Sequence, residues 1–248
     1  MKILIYNIGY SLGLNGSTGD YIFRGLRYVY CTRKIQEKVI SDITTIITDT
    51  NPDICGLLEV EQGNAFFNRI NQVKELNRDG KFVVDISSKY AEKSLISKID
   101  FLRSKSNAVL LKKPLPIHKH YFGHGIKRLL YEIVVRPDIS IFLVHFSLSH
   151  RARAHQIQEL RSLIRQREKV VICGDFNIFG GLHELDPLLR HTHLHVVNKR
   201  GDVTFPAVHP KIALDLFLCS KSLTVKDIQV LSGAFSDHCP VLFEFETS

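Results

Sequence analysis

The sequence predicts an α/β chain in which two sheets pack on each other and helices flank them. Three observations carry this. About ten apolar runs of strand length outnumber the helical segments, the helices fall between strands, and that many strands overfill a single twisted sheet. The 248 residues suit one substantial core, and 1–248 show no repeat, low-complexity stretch or linker-like shift in composition. One domain is therefore expected.

The elements follow in order. KILIY (2–6) is a first strand ending at Asn7. Residues 34–50 predict an amphipathic helix, because Ile35, Val39, Ile43, Ile46 and Ile47 recur at helical spacing, and Asn51-Pro52 stops it. DICGLLEV (53–60) is a buried strand in which charge arrives only at Glu59. A second helix fits 64–77, with Phe66, Ile70 and Val73 on one side. Strands are expected at 82–86, 107–111, 129–135 and 139–146. A basic helix covers about 152–167, with Ile157, Leu160 and Ile164 facing inward. Its Arg151, Arg153, Arg161, Arg165 and Arg167 are expected on a solvated exterior. Strands at 170–173, 214–220, 225–231 and 240–246 complete the chain.

Lys and Arg number 33 against 25 Asp and Glu, a surplus of +8 that favours anionic partners: nucleic acid, phosphorylated metabolites or lipid headgroups. The five cysteines form no CxxC pair, and Cys55 and Cys173 lie in apolar runs, so a reducing, cytoplasmic compartment is expected. No apolar stretch approaches the roughly 20 residues of a membrane span, and MKILIYNIGY is too short in its apolar part for a signal peptide.

Polar residues at strand ends carry the chemistry. Residues 170–179, VVICGDFNIF, run from a buried strand into Asp175 and Asn177, two apart. If the chain stays extended, both side chains share a face while Phe176 points into the core; the alternative is a turn. Other strands end alike: KILIY at Asn7, ICGLL at Glu59, IFLV at His145, with Asp215 in LDLFL and Asp237-His238 before PVLFEF. Gathered at one end of a sandwich, these carboxylates, amides and imidazoles suit metal-assisted hydrolysis of a phosphate ester. Glu61 is expected to be solvated, and His191, His193 and His195, like His118, His120 and His124, to lie on solvated edges. The segment DYIFRGLRYVYCTRK (20–34) interleaves aromatics with Arg24, Arg27, Arg33 and Lys34. It fits either a docking surface for phosphates and bases or an amphipathic helix with buried aromatics.

NPDICGLLEVE, SNAVLL, VHFSLSHRARAHQIQEL, GDFN, TFPAVHPKIALDLFLCS and SDHCPV stand in an order that resembles the endonuclease/exonuclease/phosphatase superfamily, over essentially the whole chain. The resemblance implies a four-layer α/β/β/α sandwich, two mostly antiparallel sheets face to face with helices outside, and phosphoester hydrolysis with Mg²⁺ or Mn²⁺. It implies Glu59, Asn7 and Asp237 at the metal, and Asp175 at the attacking water. It also implies Asn177, His145 and His238 at the phosphate, and Asp215 behind the His238 ring. Asn107, Arg24 and Arg27 are expected to bind substrate, and the enzyme to act as a monomer. Leu58 stands where many nuclease members carry Gln, Leu214-Asp215-Leu216 where abasic-site nucleases read Ile-Asp-Tyr, and Thr204-Phe205 replaces a usual Thr-Trp. A nuclease is the first expectation, a phospholipid, sphingomyelin-like or phosphoinositide phosphoesterase the second, and a non-catalytic scaffold of the same fold the third.

Overall fold

The computed structural model describes residues 1–28, 30–64, 68–90, 103–233 and 235–247. The first half of the chain forms β1 (Lys2–Asn7), α1 (Thr18–Arg24), α2 (Arg33–Thr50), β2 (Ile54–Glu61), α3 (Gln72–Leu76), β3 (Val83–Ser88), β4 (Lys105–Leu111) and β5 (Ile117–Tyr121). The second half forms β6 (Leu129–Arg136), β7 (Ile139–His145), α4 (His150–Ile164), β8 (Lys169–Asp175), α5 (Asp186–Leu189), β9 (Leu194–Val196), β10 (Asp215–Ser220), β11 (Val225–Val230) and β12 (Val241–Phe245).

Two six-stranded sheets result, ordered β11-β12-β1-β2-β4-β3 and β5-β6-β7-β8-β10-β9. The pairs β1–β2 and β7–β8 are parallel, and the others are antiparallel. Alternation along the strands explains the continuous apolar runs, because both faces are covered. Ile3 and Ile5 of β1 join Val109, Tyr131, Leu143, Val171 and Phe217 between the sheets. Leu4 and Tyr6 turn the other way, under Val39, Ile43 and Ile47 of α2. On the second sheet Phe142, Ile172 and Leu216 pack beneath Ile157, Leu160 and Ile164 of α4. The layers are therefore α/β/β/α, as expected.

Helix ends follow local chemistry. Ser17 caps α1 by accepting from the Asp20 amide at 3.1 Å. α2 stops where Asn51 turns left-handed (φ 47°) ahead of Pro52. Some expectations need correcting. Where a helix was predicted over 64–77, helical geometry among the described residues covers only Gln72–Leu76, capped by the Asn71 side chain on the Lys74 amide, and Phe66 lies outside the described residues. Arg153 is buried rather than solvated, paired with buried Glu184. Arg167 bonds the buried Glu132 carboxylate. Glu61 is buried as well: Ser106 and Lys105 face the end of β2, and the Gln72 amide oxygen accepts from the Glu61 amide. The two histidine clusters lie on the edge strands β5 and β9 or beside them, neither of which was predicted as a strand.

Candidate active site

Register brings the predicted residues together. In the second sheet His145 pairs with Asp175, and Asp175 with Asp215, so three adjacent strands present polar side chains at one level. In the first sheet Asn7 pairs with Leu58, which sets Glu59 one residue beyond it.

Backbone geometry aims these groups. β2 is bulged against β4 between Leu57 and Val60, and Glu59 takes φ 54° in that bulge. The Glu59 amide donates to Asn107 Oδ1 at 3.2 Å, so Asn107 holds the bulge. Gly174 has φ 136°, and a Cβ there would lie 2.0 Å from the Val144 carbonyl oxygen, so only glycine fits before Asp175. Asn177 turns left-handed at φ 51°. The extended run thus ends at Asp175, and a turn rather than a continuing strand places Asn177 beside it. Phe176 is fully buried, edge-on to Phe146.

Asp175 is the hub. Its Oδ2 accepts from Asn7 Nδ2 at 3.1 Å and Asn177 Nδ2 at 3.0 Å, and its Oδ1 accepts from the Asn177 amide at 3.0 Å. His145 Nε2 stands 3.4 Å from Asp175 Oδ2 and 3.6 Å from Glu59 Oε1, and its Nδ1 is 3.5 Å from Asn107 Oδ1. Lys127 donates to His145 Nε2. Glu59 Oε1 also meets the ammonium groups of Lys89 (3.4 Å) and Lys127 (3.3 Å). On the far side Asp215 Oδ2 accepts from His238 Nδ1 (2.7 Å) and from the Thr204 hydroxyl (2.7 Å). Ser236 donates to the Asn7 carbonyl (2.7 Å) and meets Asp237 Oδ1 at 3.1 Å, while the Tyr21 hydroxyl donates to Asp237 Oδ2 (2.7 Å).

The electrostatics divide the site. Burial alone would raise the Glu59 carboxyl, but Lys89, Lys127, His145 and His238 hold it well below the usual range. Burial opposes ionisation of Asp175 too, and His238 with His145 and Lys127 overcomes it, leaving an anion. Burial and then the Lys127 charge bring His145 down to about 4. Burial would likewise lower His238, yet Asp215 and Asp175 raise it to about 10. Asp175, Asp215 and His238 place ligand-capable atoms within 4.8 Å of one another. The Asp215–His238 hydrogen bond engages two of these atoms with each other, so the trio is built to position a ring and a proton.

Not every expected residue joins the cluster through its contacts. Arg27 donates to the Leu12 and Gly13 carbonyls, and Arg24 pairs with Asp20 at 2.9 Å. Asn107 supports Glu59 and His145 from behind. Sequence reasoning passed over Lys89 and Lys127. Lys127 precedes the strand at 129, so the signal was a charged residue at a strand's start, whereas polar groups were weighed mainly at strand C-terminal ends.

Comparisons agree with the geometry. A model described as the Endonuclease/Exonuclease/phosphatase family matches residues 35–238. Comparison with curated protein sequences returns no match. Among solved structures, an endonuclease/exonuclease/phosphatase from Beutenbergia cavernae superposes with TM-score 0.72 at 16% identity, over 99% of this chain and 71% of that one. The mannosyl-6-phosphatase of Bacteroides thetaiotaomicron gives 0.70 at 15%, over 99% of each chain. Humanized D. rerio TDP2 gives 0.67 at 13%, over 100% of this chain and 99% of that one. At such identities the likeness shows a shared fold.

Proposed function

Since the chain belongs to the endonuclease/exonuclease/phosphatase family, whose members are metal-dependent phosphoric ester hydrolases, we propose that it is a divalent-metal-dependent phosphodiesterase acting on nucleic acid. In this reading residues 1–248 are one catalytic domain and work as a monomer. The observation that carries the proposal is the convergence of Asn7, Glu59, His145, Asp175, Asn177 and the Asp215–His238 pair at one end of both sheets.

The donors fit a hard cation. Glu59, Asn7 and Asp237 offer carboxylate and amide oxygens suited to Mg²⁺ or Mn²⁺, and the two ammonium groups drawn onto Glu59 Oε1 mark a carboxylate that attracts positive charge. Bound there, the ion would neutralise charge on the phosphoryl oxygens. Asp175 orients the attacking water and takes its proton. Lys127 donates to oxygens that gain charge as the phosphorus becomes five-coordinate, while Asn177, whose amide hydrogens go to Asp175 Oδ2 and the Phe146 carbonyl, holds Asp175 in place beside the phosphate. His238, fixed at Nδ1 by Asp215, leaves Nε2 for the phosphate. His145, between Asp175 and Lys127, is assigned to a phosphoryl oxygen or to the leaving oxygen.

The surplus of +8 and the exposed side chains of Phe23 and Tyr30 among Arg24, Arg27 and Arg33 support nucleic acid, through phosphate attraction and base stacking. All five cysteines carry free thiols, which supports a reducing, cytoplasmic setting. One observation favours a second substrate class, a lipid phosphoester: Ile22, Phe23 and Leu26, beside Tyr21 and its bond to Asp237, are 70%, 85% and 82% exposed. No described helix is long and apolar enough to cross a membrane.

The test is a metal-dependent panel of single-stranded, duplex and abasic DNA, RNA and phospholipid vesicles. Cleavage of a nucleic acid is expected with Mg²⁺ or Mn²⁺ and not with chelator. Asp175→Asn and His238→Ala should each lose about 10²–10⁴-fold, the usual worth of a positioned acid or base. Equal cleavage by wild type and variants would sink the reading, and a preference for vesicles would move it to the lipid class.

A further inference from the structure

Beside the catalytic cluster lies a slot with walls of a different character. A cavity of about 210 Å³ opens between the turn joining β5 to β6 and the loop joining β7 to α4. Tyr90, Ile126, Leu148 and Ser147 line it together with Lys89 and Lys127, whose ammonium groups reach Glu59. Ser147 is 5% exposed, and its Oγ has no hydrogen-bond partner among the described residues. A buried hydroxyl without a partner is costly unless something supplies one. The N-terminus of α4 opens onto the slot through Ser149 and Ala152, which adds a positive field.

The slot is built rather than incidental. Gln156 is fully buried and clamps both loops: its Oε1 accepts from the Ser147 amide (2.9 Å), and its Nε2 donates to the His124 (2.9 Å) and Lys127 (2.6 Å) carbonyls. Gly125 takes φ 85°, where a Cβ would lie 2.2 Å from Ser147 Oγ, so the turn closes only with glycine. Lys89 is fastened across the sheets, its carbonyl accepting from the Arg128 amide at 2.8 Å. Both lysines therefore stand on fixed backbone while their ammonium groups reach Glu59 Oε1.

An apolar slot lined by two lysines whose ammonium groups reach into the neighbouring cluster matches a flat apolar group tethered to a phosphate. The volume is below the roughly 300–1,000 Å³ of a complete small-molecule site, so it admits one fragment of a larger substrate. We propose that this slot is the subsite for the nucleobase flanking the scissile phosphate, with Lys89 and Lys127 as its anion-binding neck and Tyr90, Ile126 and Leu148 as its walls. The inference rests on the phosphodiesterase reading and adds to it the determinant of substrate choice.

Two esters that release the same p-nitrophenolate test it: the p-nitrophenyl ester of thymidine 5′-monophosphate and methyl p-nitrophenyl phosphate. Wild type should favour the thymidine ester in kcat/KM by about tenfold or more, the worth of one stacked base. Ala152→Phe, which enters the slot from α4, should remove that preference by lowering thymidine ester hydrolysis far more than methyl ester hydrolysis. Leu148→Trp, at a 64% exposed position, repeats the block without burying new volume in the core. If both variants keep the wild-type ratio, the subsite is elsewhere while the hydrolase reading stands. If an octyl p-nitrophenyl ester outruns the thymidine ester, the slot takes an alkyl chain and the base assignment is overturned. If wild type with Mn²⁺ cleaves none of the esters, the phosphodiesterase reading fails and the subsite with it.

Discussion

His145 and His238 share one pocket, and their neighbours drive them apart. Burial works against the charged form of both. His145 has Lys127 on its Nε2 and is pushed down to about 4, so it is neutral near pH 7. His238 faces the Asp215 and Asp175 carboxylates and is raised to about 10. One pocket thus presents a neutral imidazole and a charged one, two environments that separate acid from base roles. Away from the site, Glu132 shows what a buried carboxylate needs. Burial would raise it, but bonds from Arg167, His120 and Ser140 outweigh this and hold it at about 2. Its folded-state value lies below its unfolded one. The stabilisation is therefore complete above the ordinary carboxylate range and is lost as pH falls through about 2. Glu132→Gln should melt below wild type at pH 6, with the gap closing as pH falls from about 4.5 toward 2. Thermal melts across that window measure it, and a gap that widens toward low pH would contradict the assigned role.

At the scale of elements, the site depends on where strands stop and what pins the loops after them. The loop following β8 is held by Glu184, whose Oε1 accepts from the Gly180 amide at 2.8 Å. Its other oxygen bonds Arg153 of α4, and Arg153 in turn reaches the Ser147 and Leu148 carbonyls, both at 3.0 Å. One buried ion pair therefore fastens the loop after Asn177 to the loop after His145. Removing one partner leaves a buried charge alone, so Arg153→Met should cost about 3–5 kcal/mol. The double variant Arg153→Met/Glu184→Gln should recover part of that, as denaturant melts of the cycle would reveal. Additive losses would mean that the pair is not coupled. This pair also marks the limit of what the sequence told. Strands buried on both faces, such as β1, β7 and β8, were legible because apolar runs of that length have few alternatives. The polar residues closing them were legible because a carboxylate or imidazole at the end of such a run needs a reason. Arg153 was misplaced because a helical arginine gives no local sign of a partner 31 residues away. The helix at 64–77 was overextended because Ile70 and Val73 fit the helical period without revealing that Asn71 caps a shorter one. Lys89 and Lys127 escaped notice because their meaning lies on strands distant in sequence, Glu59 for both and His145 as well for Lys127.

At the scale of the whole molecule, neither sheet holds the site alone. Asn7 and Glu59 come from the first sheet, and His145, Asp175 and Asp215 from the second, so the candidate site exists only while the two stay in register face to face. Gly56 shows how closely they approach: a Cβ there would lie 2.8 Å from a Leu143 methyl. Farther along the interface Phe217 of the second sheet packs on Phe243 of the first at 4.7 Å between ring centroids, and Phe243 stacks on Phe245. Phe243 is fully buried, and the contacts described above place none of the candidate-site side chains on it. Phe243→Ala should cost about 3–5 kcal/mol, the range for truncating a buried phenylalanine. Because the site is composite, that loss should reach activity only through unfolding. Urea titrations should show phosphoesterase activity and far-UV ellipticity lost at one midpoint in wild type, and at one lower midpoint in the variant. Loss of activity well before ellipticity would mean that the two halves of the site separate while the sheets persist, and that the interface around Phe243 is not what holds them together.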